Sequence, residues 1–438
     1  MNNGNVNNNS RSNVNTNNRV RAFIALDVKV SIVINLKIIK YMGYFHRNKQ
    51  MTPKEDWIPL ESFFDSYYQC RKRKRNTFKA MEFEYDYKTN LINLWREVNR
   101  EEYEIGKSIT FLVTYPKLRE IFAANFRDRV VHHVIMERLN PLFEKEFIED
   151  CYSCRDDKGT SYGVDRLKQK IFECSEGYTK DCWIGKFDIK GFFMSIDKRI
   201  LWEKLKKFIE EKYNGPDKQK LLYVTETVTM HCPQKNCTRK SKKSAWRALE
   251  KNKSLFGCDD YHGLPIGNLT SQCFANFYMS EFDHLMSRIF DGFYGRYVDD
   301  FYVISRDKKK VTKNIEFIRT WLKENLGLTL HPKKLYIQHY RRGVTFIGVT
   351  VKVEKVRINS RVVGNFFKAM HRFNMAPTIR EEAVRFMQKA NSYLGFLLHY
   401  SPVGYRKKLC EMMDRKWIGM VGYDKKTYAK FYFEKGYK

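Results

Sequence analysis

The sequence predicts an α+β chain, and three observations carry that expectation. Apolar residues recur at helical spacing over residues 127–148, "RDRVVHHVIMERLNPLFEKEFI". Runs rich in β-branched and aromatic residues stand at 108–124, 183–196 and 295–305. A helical pattern returns over roughly 362–414, broken by a Pro-containing turn. The chain has 438 residues, enough for two or three domains with sizeable cores.

In chain order, residues 1–18 are Asn-rich low complexity and are expected to be disordered. "RAFIALDVKVSIVINLKIIKYMGYF" follows, broken by Asp27, Lys29, Lys37 and Lys40, too interrupted for a transmembrane helix and without a signal-peptide cleavage pattern. "MTPKEDWIPL" from Met51 reads as a domain start, which leaves 1–50 as an accessory tail or an over-extended gene start. Residues 51–180 read as helix-rich, interrupted by the strand-like "SITFLVTYPKLREIFAA". "WIGKFDIKGFFMSI" at 183–196 reads as a strand ending in an aromatic turn. The polar, basic stretch 231–256 reads as an exposed insertion, and the Gly/Pro loop "GLPIGN" leads into a helix that Asn268 or Thr270 would cap.

Lys and Arg number 81 against 50 Asp and Glu, a net charge of +31. The excess is spread over "RKRKR" at 71–75, "RKSKKSAWR" at 239–247, "KKK" at 308–310 and "RKK" at 406–408. A polyanionic partner explains this most simply, with nucleic acid foremost. A membrane surface is not expected, because neither a basic amphipathic helix nor a lipidation signal is present. Ten irregularly spaced cysteines without a secretory signal read as reduced intracellular thiols. Cys151, Cys154, Cys232 and Cys237 have zinc-permissive local spacing, but the two pairs are far apart in the chain.

"GRYVDDFYVIS" at 295–305 places Asp299 and Asp300 side by side among Tyr, Val, Phe and Ile. Two adjacent carboxylates repel, and an apolar setting makes both costly to desolvate. A solvated acidic hairpin is the bland reading, and the apolar flanks weigh against it. A strand–turn–strand bend with a cation offsetting the repulsion accounts for the pair. Asp188, in "KFDIKGFF", supplies a third acid at another strand end. Three such acids suit two Mg²⁺ ions about 3.5–4 Å apart, the arrangement of a two-metal nucleotidyl transferase.

"KFDIKGFF", "GLPIGNLTSQ", "RYVDDF", "GLTLHPKK" and "GVTFIG" resemble the ordered motifs of reverse transcriptases. "IGNLTSQ" is similar to the form found in diversity-generating retroelement enzymes, where other reverse transcriptases usually have Gln before that Gly and Pro after that Ser. The resemblance spans about residues 55–425 and implies a right-hand polymerase: fingers over 51–180, an antiparallel palm with helices over 181–358, and a helical thumb and tail over 359–438. It implies error-prone RNA-directed DNA synthesis for mutagenic retrohoming, with errors concentrated opposite template adenine. The alternatives are a retron or phage-defence reverse transcriptase and, from another class, a non-catalytic RNA-binding scaffold. The implied partners are an RNA template, a DNA or RNA primer, dNTPs and a small basic accessory protein, in a bacterial or phage-encoded cytoplasmic enzyme.

Residue by residue, the resemblance implies Asp188, Asp299, Asp300 and the Ile189 carbonyl as the metal set. It implies Arg119 and, more weakly, Lys117 on the triphosphate. Phe193 would crowd the sugar 2′ position, and Ile266, Gly267 and Gln272 would line the nucleotide loop. Lys334, or its neighbour Lys333, would protonate pyrophosphate. Phe346 and Gly348 would belong to the primer grip.

Overall fold

The computed structural model describes residues 54–72, 77–114 and 117–437, so the expectations for residues 1–50 lie outside it. Helices α1 (Leu60–Arg71), α2 (Phe78–Tyr85) and α3 (Tyr87–Asn99) come first, followed by the antiparallel hairpin β1 (Ser108–Val113) and β2 (Arg119–Ala123). The long apolar-periodic segment is helix α4 (Phe126–Glu146), buried at Val130, Val131, Val134, Ile135 and Leu139, with α1 packed along it. Helix α5 (Thr160–Cys174) leads to β3 (Trp183–Asp188), and the aromatic turn after it is the single-turn helix α6 (Phe192–Ser195). Helices α7 (Lys198–Lys212) and α8 (Lys218–Met230), strand β4 (Cys237–Arg239) and helices α9 (Leu269–Tyr278) and α10 (Ser280–Ile289) complete the middle of the chain.

The central sheet has the order β5-β6-β3-β7, with β5 (Tyr294–Tyr297), β6 (Asp300–Ser305) and β7 (Tyr336–His339) all antiparallel to their neighbours. Strand alternation divides it cleanly. Phe187, Phe301 and Val303 enter one core together with Val311, Ile318 and Leu322 of α11 (Lys308–Leu326). Ile184, Tyr302 and Ile304 face a second core with Tyr152, Leu167 and Phe346. Lys186 and Asp188 share that second face by parity. Beyond the sheet lie β8 (Val344–Phe346), β9 (Val349–Val351) and β10 (Val356–Ile358), a small antiparallel sheet.

The basic stretch 231–256 is largely exposed, as expected, and it is also tied into the fold: β4 pairs in parallel with β1, Ser108 against Cys237, and extends the first hairpin into a three-stranded sheet. Two expectations are corrected here. Asn268 stands at the N-cap of α9 but does not cap it; its Oδ1 accepts from the Ala124 amide at 3.2 Å and ties the loop to β2. The C-terminal part is not purely helical. After α12 (Ser360–Met375), α13 (Arg380–Tyr400) and α14 (Val403–Cys410) comes the two-stranded sheet β11 (Val421–Tyr423) and β12 (Phe431–Phe433), packed on a core that stacks Phe373 between Phe386 and Trp417. Among the described residues no helix is long and apolar enough to cross a membrane.

Candidate active site

Antiparallel register sets Asp188 directly opposite Asp300 at the ends of β3 and β6, and Asp299 occupies the turn just before β6. That turn is strained. Val298 holds φ at 60°, a left-handed conformation that a β-branched side chain rarely adopts. The surroundings hold it there. The Val298 amide donates to Ser153 Oγ at 3.2 Å, and its carbonyl accepts from Arg296 Nη1 at 2.9 Å. Arg296 is itself buried and forks onto the Asp283 carboxylate at 2.7 and 2.6 Å. Tyr294 donates to the same carboxylate at 2.6 Å. A buried, fully paired guanidinium is a rigid support, so the turn carrying Asp299 is braced from beneath.

Burial pushes the Asp299 carboxyl above the usual carboxylate range, and the charge of Asp188 adds to the effect, opposed by Lys334 and Lys186. The Lys334 ammonium lies 3.0 Å from both Asp188 oxygens. Lys186 is buried beneath the pair, ion-paired with Asp300, and lies 5.3 Å from the Phe346 ring centroid. Burial draws its ammonium down to about 7, with Asp188 and Asp299 opposing. Lys117 is also held below the ordinary lysine value, by burial and then by Arg361, Lys334 and Arg119, with Asp299 opposing. Lys334, Lys186 and Lys117 therefore act on the carboxylates, and Arg119 and Arg361 stand near Lys117. Among the described residues, no group of three His, Cys, Asp or Glu side chains forms a ready-made metal cluster. Asp300 is paired with Lys186 as Asp188 is with Lys334, and Asp188 and Asp299 are the two carboxylates whose charges act on one another. Their hard oxygens, and the mutual repulsion that raises Asp299, fit a divalent cation completed by water and nucleotide phosphate.

Of the residues expected at the nucleotide, Phe193 and Ile266 come together. Phe192 is core and Phe193 is half-buried, in edge contact with it at 5.6 Å between centroids. Phe193 and Ile266 both pack against the cluster of Phe122, Met194 and Leu255. The Ile266 carbonyl accepts from the Phe122 amide at 2.9 Å, and the Phe193 carbonyl from the Leu264 amide at 2.8 Å. Gly267, at φ 122°, approaches β2 so closely that a Cβ would lie 2.9 Å from the Phe122 carbonyl oxygen. Gln272 is exposed on α9, its Oε1 3.5 Å from the Cys154 sulfur. Phe346 is buried against Tyr302, so of the two residues expected in a primer grip only Gly348, at φ 85° in the β8–β9 turn, is partly exposed. The four zinc-spaced cysteines do not gather: Cys151 lies beneath Arg296, and the Cys232 sulfur accepts from Lys198 at 3.2 Å.

Sequence reasoning missed Lys186, Arg296, Ser153 and Arg361. The first two stand inside the quoted motifs and read there as ordinary basic residues. Ser153 lies in "CYSC", which drew attention for its thiols. Arg361 opens α12 and carried no local signal.

An antiparallel sheet flanked by helices, with two acids brought together at a strand end and a braced turn, defines an α+β polymerase of the right-hand kind. Residues 114–351 match the family model described as reverse transcriptase (RNA-dependent DNA polymerase), and the chain belongs to that family. It is 22% identical over 265 residues to Protein YkfC of Escherichia coli (strain K12), a match covering 53% of this chain and 62% of that protein. Among solved structures it is similar to apo telomerase from Candida tropicalis (TM-score 0.45, 13% identity, 70% of this chain and 56% of that one). It is also similar to telomerase from Candida albicans in complex with a fragment of telomeric RNA (TM-score 0.42, 12% identity, 72% and 56%).

Proposed function

We propose that this chain is an RNA-directed DNA polymerase that copies a retroelement RNA into cDNA, with Asp188 and Asp299 as the metal-binding carboxylates. The observation that carries the reading is the meeting of these two acids at the strand ends beside Lys334 and Lys117. Two Mg²⁺ ions, when bound, would activate the primer hydroxyl and neutralise charge on the departing pyrophosphate. The Ile189 carbonyl would complete the protein's share of ligands. Asp300 and Lys186 hold the strand ends in register beneath them.

Arg119 and Lys117 bind the incoming triphosphate, with Arg suited to bidentate phosphate contact. Lys334 already reaches the Asp188 carboxylate and would donate a proton to pyrophosphate. Phe193 would exclude a 2′-hydroxyl by steric contact. The fingers would comprise the N-terminal helices and the first sheet, the palm the central sheet, and the thumb the domain after β10. RNA template, primer, dNTPs and a small basic accessory protein are the proposed partners, in the cytoplasm of a bacterial host.

The finer assignment, error-prone copying in a diversity-generating retroelement, rests on Ile266 and Gln272 in "IGNLTSQ". Asp188→Asn and Asp299→Asn should each lower primer extension on an RNA template by at least about a thousandfold, because an amide holds Mg²⁺ far more weakly than a carboxylate. Near-normal extension by both variants would remove the two-metal assignment.

A further inference from the structure

Glu120 is a buried acid next to Arg119, and nothing in the proposed chemistry uses it. Strand alternation puts the two on opposite faces of β2: Arg119 is exposed, whereas Glu120 and Phe122 are buried. Residues 239–257 cover the buried face, and they converge on the Glu120 carboxylate. Trp246 Nε1 donates to it at 2.5 Å, Ser254 Oγ at 2.6 Å and the Leu255 amide at 2.7 Å. Trp246 lies in the first short helical turn of the strap, and Ser254 and Leu255 are neighbours at the start of the last. Arg239, at the end of β4, adds its guanidinium 3.8 Å from the Phe256 ring centroid.

The far side of the same strap reaches the loop after Asp188. Gly191, at φ 59°, lies so near it that a Cβ would sit 3.0 Å from the Asn252 carbonyl oxygen. Leu255 and Phe256 also belong to the cluster that supports Phe193 and Ile266. The strap thus runs from β2 to the strand end that carries Asp188, and Glu120 is the buried carboxylate that ties it to β2.

We propose that Glu120 is a positioning residue for nucleotide binding. By holding the strap on the back of β2, it fixes the distance and orientation of Arg119 relative to Asp188 and to the sugar-side pair Phe193 and Ile266. It touches no substrate itself. An ionised carboxylate accepts from all three donors, whereas an amide turns its own N–H group toward at least one of them. Small displacements of a triphosphate-binding arginine are felt chiefly as weaker nucleotide binding.

The inference rests on the polymerase reading above, and the experiment separates the two. With the full chain on an RNA template and Mg²⁺, steady-state extension is measured for wild type, Glu120→Gln and Trp246→Phe, alongside the melting temperature of each. The expected result is a dNTP KM raised about tenfold in Glu120→Gln and about threefold in Trp246→Phe, with kcat within about twofold of wild type. Trp246→Phe keeps an aromatic ring at that place while removing the indole N–H donor, so it reports on the latch even where Glu120→Gln melts early. A wild-type KM in Trp246→Phe, or a loss of kcat that tracks a lost melting temperature in both variants, overturns the positioning role. Failure of the wild-type chain to extend any primer would instead overturn the polymerase reading.

Discussion

At the residue scale, Ile266 separates backbone from side-chain duties. Its carbonyl is committed to the Phe122 amide, and Gly267 beside it is pressed against β2, so the loop is held whatever side chain stands at 266. The isoleucine side chain packs against the Phe122 cluster and offers no donor or acceptor to a nucleotide. A correct base pair therefore gains no polar contact there that a mispair would lack. Discrimination is a difference of affinities, and about 1 kcal/mol withheld from the correct pair costs several-fold in fidelity. Ile266→Gln is expected to lower misincorporation opposite template adenine several-fold while extension is preserved. Sequencing cDNA made by both enzymes on one RNA template checks this, and identical error spectra would show that Ile266 does not set fidelity.

At the element scale, the segment joining α8 to β4 buries an imidazole. Burial, with the nearby Lys198 ammonium, draws His231 down from 6.5 to about 4. Its Nε2 is buried without a hydrogen-bond partner. The folded chain thus binds fewer protons there than the unfolded chain between these two values. The contribution to stability is complete above about pH 6.5 and is lost as the pH falls from 6.5 toward 4, by at most about 1.4 kcal/mol per pH unit. His231→Asn should flatten the fall in melting temperature across that window, and an unchanged slope would mean the imidazole titrates normally. The stretch after β4 shows where local pattern stops being informative. "RKSKKSAWR" reads as a solvated basic stretch, and its Lys residues are indeed exposed, but Trp246 and the backbone of Leu255 find a buried carboxylate far away in sequence. No periodicity announces a partner of that kind.

At the scale of the whole molecule, a net charge of +31 favours a polyanionic partner. Neutralising about five single-strand phosphates should cost at least about a hundredfold in RNA affinity between roughly 50 and 200 mM salt. Affinity that stays flat across that range, measured by fluorescence anisotropy on a labelled RNA, would count against an electrostatic footprint. The sequence by itself determined the α+β class, the long α4 helix, the strands that end at Asp188 and Asp300, and the family, because periodicity and motif order are local properties of the chain. Tertiary structure decided the rest. It turned Phe346 inward and spent Asn268 on β2 instead of on its own helix. It set Lys186 beneath the acids, Arg296 beneath Val298 and the strap on Glu120. Each of these is a pairing between segments far apart in the chain, where burial leaves a polar group a choice between a distant partner and a large desolvation cost, and only the folded chain supplies the partner.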